Sequence, residues 1–164
     1  MKCELIKIDE LSGNKASIYS VIIDEDDVSL FEEFIDENID SHLSEINNIT
    51  QRLKTIGTKT GAREQFFKIN EGIPGDGVCA LYDDPKKKLR LYCIRYGTMI
   101  IVLGGGGPKP KDIRALQESE KLTEENYLLR AISQKITEKI TDKDIRLSTY
   151  TNDFEGELSF EIDY

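Results

Sequence analysis

The side chains best suited to chemistry lie in and just beyond one apolar stretch, residues 89–111, which reads LRLYCIRYGTMIIVLGGGGPKPK. Arg90 and Tyr92 alternate along a predicted strand, and Lys109 and Lys111 follow four consecutive glycines. Arginine binds phosphate in a bidentate manner, lysine supplies a point charge, and tyrosine stacks on a base or donates a hydrogen bond. This combination predicts a site for phosphate groups, with RNA as the favoured ligand.

A β-hairpin is predicted to carry these side chains. The apolar runs 89–96 and 99–103 are separated only by Gly97 and Thr98, and glycine supplies the positive φ that a tight turn needs. Alternation along the first strand divides its side chains between two faces, with Arg90, Tyr92, Ile94 and Tyr96 on one and Leu89, Leu91, Cys93 and Arg95 on the other.

The two faces of that strand are expected to differ in their surroundings. Leu89, Leu91 and Cys93 are apolar and should pack against helices, whereas Arg90 and Tyr92 should face a groove near the two lysines. A solvated, salt-bridged sheet face is the alternative, and the spacing alone does not separate the two interpretations.

Glycines 104–107 predict a flexible loop that presents the lysines. A nucleotide-binding P-loop is excluded, because it needs Gly-Lys-Ser/Thr leading into a helix, and here Pro108 and Pro110 remove backbone donors and block a helix start. The alternative is a strand that ends at the glycines, where the backbone must pass close to another element.

The charge distribution agrees with an anion site in the middle of the chain. The net charge is −9, but residues 1–50 carry −10, residues 51–114 carry +7 and residues 115–164 carry −6. A basic centre between acidic ends predicts a focused positive patch rather than a uniformly acidic surface.

Composition narrows the class of protein further. A chain of 164 residues predicts one domain with its own core. Cys3, Cys79 and Cys93 are odd in number and show no C-x-x-C spacing, and His42 is the only histidine, which argues against a disulfide framework or a zinc site. With no apolar run of membrane-spanning length and a charged N-terminus, the sequence predicts a cytoplasmic protein without metal or cofactor.

The elements that position the site are predicted to form an α+β fold. Ser29 to Glu32 is a capping box, and an apolar repeat follows it to Gly57, with a break near residues 38–41. A second helix is predicted after a Thr123 cap, with Tyr127, Leu128, Ala131, Ile132, Ile136 and Ile140 as its buried stripe.

The predicted strands are 5–8, 16–23, 65–70, 78–82 and the hairpin, which give an antiparallel β-sheet packed against an N-terminal helical segment and a C-terminal helix. Segments 145–151 and 157–162 could pair with each other or form an acidic tail.

The order of a helical segment, REQFFKINEG, GVCALYDD, the 89–111 stretch and a following helix resembles the RelE/ParE toxin superfamily, in particular its HigB-like (phage-derived Gp49-like) branch. The resemblance covers about residues 28–115. The N-terminal hairpin 4–24 and the C-terminal helix with its acidic tail, 122–164, are then additions to a RelE-like core.

The resemblance implies a bacterial toxin of a type II toxin–antitoxin system, a ribosome-associated mRNA endonuclease in which the ribose 2′-OH attacks the adjacent phosphate without a metal. Its partners would be mRNA on the ribosome and an antitoxin of the helix-turn-helix type. Arg90 matches the strand arginine of the family, and Lys109 and Lys111 match the basic residues after the last strand, so these three are the implied catalytic residues. Supporting RNA-binding candidates come from this chain's own pattern: Arg63, Lys68, Tyr92, Tyr96 and Arg114.

Two other functions stay open. The strand that carries basic residues in the ribonuclease branch reads VCALY here, which favours a catalytically inactive RelE-fold module that binds a partner protein or RNA. The acidic tail could also fold over the groove and inhibit it, and the target could be a topoisomerase, as in the ParE branch.

Overall fold

Nine strands and three helices make up the described part of the chain. The structure is a computed structural model, and it describes residues 1–69, 71–72, 76–84, 86–110 and 119–164. Its strands are β1 Lys2–Lys7, β2 Ser17–Ile23, β3 Phe67–Lys68, β4 Val78–Leu81, β5 Leu89–Tyr96, β6 Ile100–Pro108, β7 Ile145–Ser148, β8 Asp153–Gly156 and β9 Ser159–Glu161. Its helices are α1 Leu30–Asn38, α2 Leu43–Thr55 and α3 Glu120–Thr141, with a π-helical turn Ile56–Thr60 after α2 and a 3₁₀ turn Glu64–Phe66 before β3.

Seven of these strands form one sheet in the order β3-β4-β5-β6-β2-β1-β9. All neighbours pair in antiparallel fashion except β2 and β6, which are parallel. The predicted α+β class, with a largely antiparallel sheet and a C-terminal helix, is therefore confirmed. The N-terminal hairpin β1–β2 belongs to this sheet, and β2 lies beside β6 near its middle.

The β5–β6 hairpin is confirmed, but the glycine loop is not. Gly97 has φ +57° in the turn, and Tyr96 pairs with Ile100, so the turn takes three residues, 97–99, rather than the predicted two. The prediction of a flexible loop at 104–107 was wrong: these glycines lie within β6, where Gly106 pairs with Leu91 and Gly107 with Arg90. Their backbone passes close to other groups, since a Cβ on Gly106 would overlap the carbonyl oxygen of Arg90.

Both faces of the sheet are covered, so the strand alternation separates two cores. Leu89, Leu91 and Cys93 pack with residues of α1 and α2, as predicted. The opposite face is covered by α3, and Tyr92 lies in that second core with 5% of its surface exposed. The expected open groove beside Tyr92 was wrong, because the helix occupies that position.

The helix boundaries follow local capping. The Ser29 hydroxyl accepts a hydrogen bond from the Glu32 N–H at 3.2 Å, so the predicted start of α1 is confirmed. The cap of α3 is Ser119 rather than Thr123, because the Ser119 hydroxyl accepts from the Leu122 N–H at 3.4 Å. The buried stripe also differs from the predicted one: Leu122, Leu129, Ile132 and Ile136 are buried, and Tyr127 is 53% exposed.

The C-terminal segments are ordered strands with partners other than those considered from the sequence. β7 pairs with β8 as a separate hairpin, and β9 pairs with β1 at the edge of the sheet opposite β3. The pairing of segments 145–151 and 157–162 was therefore wrong. Among the described residues, no helix combines the length and apolarity needed to span a membrane.

Candidate functional site

Three basic side chains converge on one buried carboxylate, and we call Lys68, Asp83, Arg90 and Lys109 the Asp83 cluster. The Lys68 ammonium pairs with Asp83 Oδ1. Arg90 Nε lies 3.2 Å and Lys109 Nζ lies 3.3 Å from Asp83 Oδ2, and Arg90 Nη2 lies 3.4 Å from Oδ1. Both carboxylate oxygens of Asp83 are thus shared among cations.

Four adjacent chain segments bring the Asp83 cluster together. Lys68 lies on β3, Asp83 follows β4, Arg90 lies near the start of β5, and Lys109 follows β6. These strands are neighbours in the sheet, so the residues at their ends lie close together. Beyond the last pair of β5 and β6, the Lys109 N–H donates to the Lys88 carbonyl at 2.6 Å, and Lys109 Nζ donates to the Asp84 carbonyl at 3.1 Å.

Burial and charge together set the protonation state of Asp83. Its side chain is only 4% exposed, and those of Lys109 and Arg90 are 9% and 12% exposed. Burial alone would raise the pKa of Asp83, but hydrogen bonds from Lys68 and Arg90 outweigh it and hold the pKa below its usual value. Burial would likewise lower the pKa of Arg90, and the Asp83 carboxylate more than compensates.

The cluster keeps an excess of positive charge after these pairings. A second carboxylate, Glu71, lies with Oε1 3.8 Å from Arg90 Nη1, so three cations face two acids. Lys68 is the most accessible of the three, at 31%, and the exposed lysines 86–88 follow in the next turn. Such an arrangement can bind an anion electrostatically. Asp83 itself is a weak base there, because its pKa is lowered.

Several residues predicted for the site lie elsewhere. Tyr92 is buried beside Arg90 and Glu71, and burial followed by the Glu71 charge raises its pKa, so it offers no surface for stacking. Tyr96 packs edge-on against the Phe154 ring at 5.2 Å, and burial raises its pKa. Lys111 and Arg114 lie outside the described residues.

Arg63 also lies away from the cluster, at the hairpin-turn end of β5. It follows Ala62, whose N–H donates to the Thr98 carbonyl at 2.8 Å and whose carbonyl accepts from Arg95 Nε at 2.8 Å. Arg95 is five residues along the strand from Arg90, or about 16 Å at the usual rise. Arg63 is therefore not part of the Asp83 cluster.

The central residue of the site, Asp83, was missed from the sequence, as were its neighbours Arg52 and Tyr82. An available signal was an aspartate directly after an apolar strand and close to a lysine-rich turn, since buried carboxylates are paired with cations. Arg52 has no such local signal: its Nη1 donates to the Tyr82 carbonyl at 2.7 Å across thirty residues of sequence.

No protein family, curated protein or solved structure compared with this chain matches it.

Proposed function

We propose that this protein binds RNA through the phosphate backbone at the Asp83 cluster. The observation that carries the proposal is that three cations converge on one carboxylate at the ends of the strands, which leaves a net positive charge. Phosphate contacts of this kind supply a large share of nucleic-acid affinity. The exposed lysines 86–88 extend the positive surface along which a polyanion can lie.

We further propose that the protein is a RelE/HigB-like toxin component, with an antitoxin as its partner and mRNA on the ribosome as its target. Within this proposal we favour the non-catalytic module over the endonuclease. A bound phosphate would share Arg90 and Lys109 with Asp83, whereas a cleavage reaction needs these cations available for the charge that develops on the phosphate. The absence of basic side chains on β4, which reads VCAL, supports the same choice.

The endonuclease is a second candidate because of one feature of the geometry. Arg90 Nε and Lys109 Nζ approach the same oxygen, Asp83 Oδ2, at 3.2 and 3.3 Å. Two cations focused on one anionic oxygen are what a scissile phosphate requires, so displacement of Asp83 by phosphate would assemble such a site.

Replacing Lys109 by glutamine is expected to weaken binding of a single-stranded RNA about tenfold, because a charge-assisted contact to phosphate is lost. The slope of log K against log salt should also fall by about 0.7, the contribution of one phosphate contact on a single strand. Fluorescence anisotropy of a labelled RNA at four salt concentrations measures both quantities. Asp83 keeps Lys68 and Arg90 as partners in this variant, so the fold should be retained.

The matched control is Lys135→Gln, which removes the same charge from α3. Lys135 pairs only with Glu138 among the described residues. Lys121 packs over Gly107, the strand partner of Arg90, and Lys135 lies fourteen residues beyond Lys121, about 21 Å along the helix axis. Equal losses of affinity in the two variants would contradict a local phosphate site. The same samples separate the two candidates: a binding module leaves the RNA intact, whereas an endonuclease yields fragments that disappear with Lys109→Gln.

A further inference from the structure

A cavity of about 350 Å³ lies between α2 and the ends of β3 and β4, and Tyr82, the residue before Asp83, is part of its lining. Its wall is mostly apolar and includes Ile56, Phe66 and Leu81. Its volume is at the lower end of the roughly 300–1,000 Å³ that small-ligand pockets span. A single planar ring system fits such a space.

Tyr82 connects this cavity to the Asp83 cluster. Its side chain lines the cavity and is 50% exposed, and it precedes Asp83 directly in the chain. The ammonium of Lys68, which pairs with Asp83, lies 5.7 Å from the centroid of the Tyr82 ring. Arg52 Nη1 donates a hydrogen bond to the backbone carbonyl of Tyr82 at 2.7 Å. The Tyr82 ring therefore contacts both the cavity and a cation of the cluster.

Polar groups at the mouth of the cavity have the chemistry of base recognition. Asn48, Gln51 and Gln65 line it and are exposed, and each side-chain amide offers a donor and an acceptor side by side. Base edges present the same pairs of groups. Arg52 Nε, also at the cavity, is buried and has no hydrogen-bond partner among the described residues.

We infer that this cavity binds one base of a single-stranded RNA whose phosphate lies at the Asp83 cluster, with the base stacked on Tyr82. The inference rests on the proposed function and adds to it the part of the nucleotide that the phosphate contacts cannot recognise. The adjacent cations match the phosphate next to the base, and the apolar wall and amides match the base itself.

Replacing Tyr82 by alanine is expected to weaken binding of a fluorescein-labelled octaribonucleotide about tenfold, within the roughly 5- to 150-fold range that loss of one stacked base gives. Tyr82→Phe retains the ring and should stay within about twofold of the wild type. Tyr150→Ala is the control, because Tyr150 is 97% exposed in the β7–β8 turn and lies outside the cavity. An abasic ribose-phosphate octamer should bind the wild-type protein about tenfold more weakly than the intact octamer, with no further loss in Tyr82→Ala.

The abasic probe keeps the test decisive even if Tyr82→Ala fails to fold, since it needs only the wild-type protein. Equal affinity for the intact and abasic octamers would overturn the inference, and so would an unchanged affinity in a folded Tyr82→Ala variant. If Lys109→Gln still weakened binding in either case, the phosphate site would stand and only the base pocket would fail. Binding of neither octamer at low salt would overturn both proposals. A carboxylate-rich peptide that bound with Tyr82 dependence while RNA did not would assign the cavity to a protein partner instead.

Discussion

Replacing Asp83 by asparagine is expected to lower the free energy of unfolding by about 3–5 kcal/mol, the cost of removing one member of a buried ion pair. Asparagine preserves the shape of the side chain but removes the charge that compensates Lys68, Arg90 and Lys109. Arg90 and Lys109 keep only 12% and 9% of their side-chain surface exposed, so water replaces little of the lost carboxylate. Because domains are stable by only about 5–15 kcal/mol, this loss should be plain in urea denaturation.

The pH dependence of that difference follows from the lowered pKa of Asp83. A carboxyl whose folded-state pKa lies below its unfolded value stabilises the protein above the unfolded value of about 3.9, and the contribution is lost as the pH falls through the folded-state pKa. The stability difference between wild type and Asp83→Asn should therefore be constant from about pH 5 to 8 and shrink below about pH 4.

Asp84→Asn is the matched control for this prediction. Asp84 is the next residue and only half-buried, and its carboxylate accepts the Lys86 N–H at 2.9 Å, which an asparagine oxygen can also do. We expect a loss below about 1 kcal/mol. Equal urea midpoints for Asp83→Asn and Asp84→Asn would show that the Asp83 carboxylate is not the shared counter-charge.

Replacing Gly106 by alanine is expected to cost about 3 kcal/mol, the upper part of the usual range for overpacking. The added Cβ would overlap the backbone carbonyl oxygen of Arg90, and a backbone atom cannot move aside as the end of a side chain can. β5 and β6 must separate at this point, where Gly106 pairs with Leu91 and Gly107 with Arg90. Thermal unfolding followed by circular dichroism measures the loss.

The neighbouring glycine provides the control. A Cβ on Gly107 meets only the Lys121 Cγ, at 3.3 Å, and that flexible side chain can shift. Gly107→Ala also reduces the freedom of the unfolded chain, so we expect a net change within about 1 kcal/mol of zero. Similar losses in the two variants would mean that the glycines are not needed for a close approach of strands.

Elements with a local signal were predictable from the sequence. The β5–β6 hairpin depends on Gly97, which lies directly between its strands, and the start of α1 depends on Ser29 and the N–H three residues on. Such features involve neighbours in the chain, so residue types and spacing determine them.

Elements that depend on distant segments were not predictable in the same way. Glycines 104–107 have loop composition, yet they form a strand because α3 and β5 pack against them. The parallel pair β2–β6 joins residues more than eighty positions apart, and β9 joins the sheet through β1 at the other end of the chain. No local sequence pattern predicts which of these strands pair.

The site residues also divide into those that the sequence predicts and those that only distant contacts reveal. Arg90, Lys109 and Lys68 were singled out for their charge, and the sheet brings them together. Alternation placed Tyr92 on the same face as Arg90 but could not reveal that α3 covers it. Asp83 was missed because its role depends on three side chains from other strands, which only the assembled sheet supplies.

The central claim, that RNA phosphate binds at the Asp83 cluster, is tested most directly by following the Arg90 Nε–H resonance in a ¹H–¹⁵N spectrum during titration with single-stranded RNA. Its loss in Arg90→Lys, which keeps the charge, assigns the resonance. Because phosphate and Asp83 would share Arg90, we expect a saturable shift over the same RNA concentrations that saturate the anisotropy signal. An unmoved Arg90 resonance in RNA-saturated protein would contradict the account.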